Sequence, residues 1–173
     1  MKSDFEKAVS FLFVNEGSAF TDIVEDRGGP TIYGITLAEL TEWRGRKQTK
    51  TDVKNLSKIE AKNIYKKKYW DPLNLDNVDD PLATIIFDQA VNRGVWRVAR
   101  ELQGIVGVSK DGVIGPKTLS AINNFSARYL GFVFIKSAQL YYIDICKSDK
   151  SQLIFLSGWV RRTQRLLDLV ITA

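Results

Sequence analysis

Histidine is absent from the 173 residues, and cysteine occurs once, as Cys146. Without His there is no Ser-His-Asp or Cys-His nucleophile, no HExxH metalloprotease helix and no imidazole base near neutral pH. A lone Cys leaves neither an intrachain disulfide nor a Cys-rich zinc site. Long apolar runs are missing as well. The most apolar segment, Tyr129 to Cys146, is broken by Lys136 and Asp144, whereas a membrane-spanning helix wants about 20 apolar residues, so it reads as a buried core helix. The start, MKSDFEKAVSFLFVNEG, carries Asp4 and Glu6 and lacks a small-residue cleavage site, so the expectation is synthesis in the cytoplasm without an ordinary secretion signal. Internal repeats and low-complexity stretches are not found. Proton chemistry is thereby left to Asp, Glu, Lys and Tyr.

What is present is ordinary for a globular chain: 45% hydrophobic residues and a formal charge of +5. A chain this long fits one domain or two lobes sharing a core, and buries about 70% of its unfolded surface. The charge is laid out in blocks. Residues 1–41 and 69–94 are net acidic, while 42–68 and 95–173 are net basic. Acidic segments flanked by basic surface suit a polyanionic partner such as a cell wall or nucleic acid, although lysines on a solvated face give the same pattern.

Periodicity and capping signals predict a mostly helical chain. Ser3 and Glu6 stand at capping-box spacing, with Phe5, Ala8, Val9, Leu12 and Phe13 at helical intervals, so a first helix should run to about Gly17. The Arg27-Gly28-Gly29-Pro30 turn and Thr31-Ile32-Tyr33 predict a loop or short hairpin. Thr36 with Glu39 and Ser57 with Glu60 open two further helices, to about Trp43 and Tyr69, separated by a polar linker over 44–56. Asp80 as cap, Pro81 at the first helical position and Gly94 as stop bracket another, and a further run from Val95 ends near Gly107. Pro116 opens a short helix to about Asn124, and two long helices, 127–146 and 151–171, finish the chain. The expected fold class is predominantly α (α+β), a helical bundle with a small β-hairpin.

Glu16 stands out from this pattern. It lies four, seven and eleven residues after Leu12, Val9 and Phe5, on the apolar side of the first helix. A carboxylate there either finds a partner or has its pKa raised, and a raised pKa keeps a general acid protonated near neutrality. A helix-terminal Glu that curls back to solvent or pairs with Lys or Arg fits the same spacing. The loop beyond it offers Asp22, Glu25 and Asp26, then two glycines and Thr31. An acid at a helix end with a second carboxylate on a facing loop is the arrangement of glycoside hydrolysis, and turn-forming Asp and Gly would look alike in a non-catalytic hairpin.

Glu16-Gly17 followed by Asp26-Arg27-Gly28-Gly29-Pro30-Thr31-Ile32-Tyr33-Gly34-Ile35-Thr36 resembles the signature of glycoside hydrolase family 108, lysozyme-like N-acetylmuramidases of phages and bacteria. In that family an EGG motif precedes D-x-G-G-x-T-x-Y-G-I-T. Tyr69-Trp70-Asp71, Phe87 to Gly94, Leu102-Gln103, Asp111 to Thr118 and Gly158-Trp159-Val160-Arg161-Arg162 extend the resemblance over nearly the whole chain in order. It implies a lysozyme-like catalytic lobe over 1–94 and a C-terminal helical, peptidoglycan-associated lobe over 95–173, packed into one compact unit, with the hairpin near the active site.

The resemblance also implies site residues. Glu16 is the acid, Asp26 the second carboxylate and Thr31 the water-positioning hydroxyl. Ser18 stands where the family has its second Gly. One extra residue between Glu16 and Asp26 puts Glu25 at the usual spacing from Glu16, while Asp26 keeps its distance to Gly28-Gly29 and Thr31. Tyr33, Tyr69 and Trp70 are candidates for stacking on sugar faces, with a core role as the alternative for Trp70. Asp88 and Asn92, at i and i+4, can hydrogen-bond sugars or form a structural polar pair. Asp111 to Gly115 reads as a tight turn, since the acidic ligands of a calcium loop are missing, and Gly115-Pro116-Lys117-Thr118 is no phosphate loop.

The expected activity is a bacteriolytic muramidase of endolysin type acting on the cell wall, with peptidoglycan glycan strands as partner. No metal or organic cofactor, no nucleic acid, no stable membrane insertion and a monomeric state are expected. The rivals are lytic transglycosylation at the same bond, a non-catalytic peptidoglycan-binding module, and a nucleic-acid binder using the basic 44–68 stretch.

Overall fold

The structure, a computed structural model, describes residues 2–16, 20–21 and 29–172. It is predominantly helical with one small antiparallel hairpin, a lysozyme-like fold. Helix α1 spans Phe5–Glu16 and two-residue strands β1 and β2 cover Thr31–Ile32 and Ile35–Thr36. Helices α2 (Leu37–Arg44), α3 (Lys50–Lys54), α4 (Lys58–Tyr65), α5 (Leu82–Arg93), α6 (Val95–Ile105), α7 (Pro116–Ile122), α8 (Ala127–Ser148) and α9 (Leu153–Thr172) follow. The chain divides into two compact units, residues 9–68 and residues 1–8 with 69–173.

Helix α1 is capped by Asp4 rather than Ser3. Its Oδ1 accepts the backbone N–H groups of Glu6 and Lys7 at 2.9 and 3.2 Å, and the helix accordingly starts at Phe5. A carboxylate is as good an N-cap acceptor as a hydroxyl. Ala8, Val9, Leu12 and Phe13 are buried, which is the face expected from their spacing.

In the unit of residues 9–68, the hairpin turns on Tyr33 and Gly34, both at positive φ (54° and 77°). Two central residues of that kind match the right-handed twist of the flanking strands. Thr36 then caps α2 with a complete capping box to Glu39. Ser57 Oγ accepts the Glu60 N–H, while the Glu60 carboxylate takes Arg44 through two parallel hydrogen bonds of 2.8 and 2.7 Å and ties α4 to α2. The polar linker expected over 44–56 contains α3, opened by a second complete capping box, Thr49 with Asp52. The α-helical part of the next helix stops at Tyr65, and residues Lys66–Trp70 form a π-helical turn.

The other unit is built on α5, which is buried from Leu82 to Ala90. Gly94, at φ 88°, makes the corner into α6, a conformation open to glycine because it lacks a Cβ. Helices α8 and α9 form a long helical hairpin joined by the short turn at 149–152. Where α8 crosses α5, Gly131 is a packing requirement: a Cβ there would meet Ile85 Cδ1 at 2.8 Å. Among the described residues no helix is long and apolar enough to cross a membrane.

Candidate active site

Helix α1 ends at Glu16. Its buried register runs through Val9, Leu12 and Phe13; the side chain of Glu16, expected on that apolar side, lies outside the described part of the structure. Asp26 and its alternative Glu25 lie outside the described residues, as does Ser18. Thr31 opens β1. Its backbone exchanges two hydrogen bonds with Thr21, at 2.9 and 2.8 Å, and the two hydroxyls meet at 2.7 Å. On its other side Thr31 pairs with Thr36 of β2. A row of three threonines therefore crosses the hairpin, with the Thr31 hydroxyl half-exposed and oriented by a neighbour.

Tyr33 sits at the hairpin tip in the left-handed region, where a bulky residue is costly unless its surroundings hold it. Two contacts to Tyr33 do so, and a third ties their partners together. The Tyr65 hydroxyl donates to the Tyr33 carbonyl at 2.8 Å, and the Phe13 ring lies 5.3 Å from that of Tyr33 and 6.0 Å from that of Tyr65. Lys58 places its ammonium over the Phe13 ring, 5.5 Å from its centroid. The half-buried phenol of Tyr33 is thus fixed by α1 and α4.

The remaining candidates belong to the other unit. Tyr69 is half-buried in the π-helical turn. Trp70 is 0% exposed: its ring packs edge-on against Phe5 and Phe87, and its indole N–H donates to Asp76 at 2.8 Å. That is the core role, and a ring enclosed on its faces leaves none for a sugar to stack on. Asp88 is likewise 0% exposed. It accepts from Arg162 Nε at 2.8 Å and from Gln89 at 3.3 Å, and its backbone carbonyl accepts from the same guanidinium. A buried carboxylate needs such a partner, which makes Asp88 a clasp between α5 and α9. Asn92 accepts from the Tyr142 hydroxyl at 2.5 Å, with Gln89 Oε1 3.2 Å from the same oxygen. Burial pushes the Tyr142 phenol up to about 12, with Arg93 and Arg162 opposing the rise.

The Asp111 loop is a built turn. Asp111 accepts from Gln103 and from the Val113 N–H, and these bonds hold its carboxyl below the usual range. Among the described residues no group of three or more His, Cys, Asp or Glu is placed to hold a metal ion.

Residues 9–94 match the family model described as Glycosyl hydrolase 108, and residues 97–164 match one described as Predicted Peptidoglycan domain. The solved structure of SagA from Brucella abortus is similar throughout, with a TM-score of 0.84 and 34% identity over 97% of this chain and 94% of that one. The chain belongs to the glycosyl hydrolase 108 family. In this family 108 chain the first match ends at Gly94, the corner between α5 and α6. Residues 69–94 belong by sequence to the first matched region and by packing to the unit that carries the second. No curated protein matches it in sequence.

Several residues that position these groups carry no signal in the sequence. Thr21 and Tyr65, which hold Thr31 and Tyr33, carry no motif of their own. Arg162 stands in the sequence only within the terminal Gly158 to Arg162 string, and its carboxylate lies 74 positions away.

Proposed function

We propose that this family 108 chain is a muramidase that hydrolyses the β-1,4 bond between N-acetylmuramic acid and N-acetylglucosamine in peptidoglycan. Glu16 is the general acid. It donates its proton to the leaving glycosidic oxygen as the sugar gains oxocarbenium character. Asp26 is the second carboxylate, activating the water that attacks the anomeric carbon or stabilising the cation, and Thr31 orients that water. Tyr33 offers an aromatic face to the glycan beside this chemistry. Residues 1–94 carry the reaction and 95–173 hold the wall, and the chain acts on the envelope as an endolysin does.

One observation carries the reading. Glu16, the last residue of α1, and the oriented hydroxyl of Thr31 on β1 fall in one compact unit of a chain belonging to a glycoside hydrolase family.

The test is lysis of purified cell walls, followed as loss of turbidity. Glu16→Gln keeps the shape of the side chain and deletes the acid, so wall lysis should fall by about three orders of magnitude or more while the fold persists. Substantial lysis by a folded Glu16→Gln protein would sink the mechanism. Asp26→Asn and Glu25→Gln measured side by side identify the second carboxylate as the one whose loss costs more. Mass spectrometry of the products should find reducing ends; anhydro ends would assign the reaction to lytic transglycosylation.

A further inference from the structure

A second cleft lies in the helical unit, lined by α6, the loop after it and α8, with a volume of about 410 Å³. Its lining includes Trp96, Arg97, Arg100, Lys110 and Tyr141. The aromatic and cationic side chains are interleaved. The Arg100 guanidinium lies 4.5 Å from the Trp96 ring centroid and that of Arg97 4.6 Å from Tyr141. Stacking of this kind holds a guanidinium plane in place and leaves its N–H edge for a ligand.

The backbone is shaped to permit it. A Cβ at Gly112 would come within 2.7 Å of Trp96 Cδ1, and one at Gly104 within 2.5 Å of Lys110 Cε. Trp96 and Lys110 therefore lie directly on bare backbone. Arg100 closes the arrangement by donating to the Lys110 carbonyl, and Gln103 fixes the Gly112 turn through the Gly112 N–H and Asp111. Despite this support Trp96 remains 63% exposed, an unusual state for an indole held in one position.

The charge in the cleft is unbalanced. Two carboxylates line it, but Glu101 is engaged by Arg93, whose side chain is 1% exposed, and Asp144 has Lys147 at 3.7 Å. Among the described residues Arg97, Arg100 and Lys110 have no ion-pair partner. Two guanidinium groups on aromatic faces and a lysine beside them, with both acids already paired, fit an anionic ligand that also carries short apolar groups.

We infer that this cleft binds the carboxylates of the peptidoglycan stem peptide, with Arg97, Arg100 and Lys110 as the anion contacts and Trp96 and Tyr141 as the walls. The inference rests on the reading that peptidoglycan is the substrate. In that polymer the lactyl carboxyl of the muramic acid is consumed in the amide to the peptide, so the glycan strand is neutral there and the negative charge sits on the peptide. A cationic cleft on a wall-holding lobe is thereby directed to the peptide rather than to the sugars, and it grips the wall without competing for the glycan at the site of cleavage.

Calorimetry with the intact chain tests this, using a synthetic L-Ala-γ-D-Glu-diaminopimelyl-D-Ala tetrapeptide and uncharged chitotetraose as probes. The tetrapeptide should bind the unmodified chain, and a double variant, Arg97→Glu with Lys110→Glu, should weaken it by about tenfold or more. Both positions are exposed, so the variant should fold normally by circular dichroism, and chitotetraose binding should be unchanged. The inference is overturned if the tetrapeptide does not bind, if it binds the variant equally well, or if chitotetraose affinity falls in parallel. Wall lysis read alongside separates the two claims. Peptide binding lost in the variant, with no lysis by the unmodified chain, supports the cleft and defeats the hydrolase reading; lysis without peptide binding does the reverse.

Discussion

Thr31 illustrates how a single side chain is prepared by its neighbours. Its hydroxyl meets that of Thr21 at 2.7 Å, so one of its hydrogen-bonding directions is already spoken for and the rest are free for water. Replacing it with the isosteric Val removes the hydroxyl and leaves the strand pairing. Wall lysis by Thr31→Val should fall about 10- to 100-fold while the melting temperature changes little, because a half-exposed hydroxyl pair contributes only about 1 kcal/mol. Thr31→Ser should retain most of the activity. An unchanged rate in Thr31→Val would remove the hydroxyl from the mechanism. The partner, Thr21, was not legible beforehand because a bridge across ten residues depends on how the intervening loop closes.

Among elements, the helix starts were the most readable feature. The Thr36 capping box is present as expected, and the hairpin forms where Thr31-Ile32-Tyr33 predicted a strand. Both are local, decided by groups within five residues of one another. The α1 cap falls on Asp4 instead of Ser3 because several acceptors satisfy a helix N-terminus almost equally well, whereas α3 is only five residues long, too short for a hydrophobic period to mark it. Helix packing was less readable. Gly131 in α8 and Gly158 in α9 are both mid-helix glycines, and only the structure separates them. A Cβ at Gly131 strikes Ile85 in the core, whereas one at Gly158 meets nothing within 4 Å. Gly131→Val should therefore cost about 1–3 kcal/mol by overpacking, and Gly158→Ala should add about 0.5–1 kcal/mol through helix propensity. Chemical denaturation of the two variants checks this, and equal shifts of one sign would contradict it.

For the whole molecule, the buried polar cluster of the helical unit sets an alkaline limit. Tyr142 is buried, stacked 4.8 Å from Trp159 and bonded to Asn92. Its pKa is pushed up to about 12 by burial. The folded-state value lies above the unfolded one, so the stabilisation is complete below about pH 10 and is lost as the pH climbs towards about 12, a change of about 3 kcal/mol. Tyr142→Phe should be less stable than the unmodified chain near neutrality, by about 1 kcal/mol for the lost hydrogen bond, and should show a shallower loss of stability at alkaline pH. Urea unfolding at about pH 8 and about pH 11 measures both effects; parallel losses in the two proteins would exclude Tyr142 as the source.

The sequence by itself determined that imidazole chemistry is excluded, since the chain has no His. It also determined a mostly helical fold with a hairpin at Thr31 to Thr36 and a first helix that ends at Glu16. Each follows from composition or from contacts within a turn or two of the chain. Only the tertiary structure decided that Trp70 belongs to the core and that Asp88 answers to Arg162. It alone brought Trp96, Arg97, Lys110 and Tyr141 to one cleft. Those outcomes depend on which distant surfaces exclude water together, and burial of that kind is a property of the packed chain that no local spacing encodes.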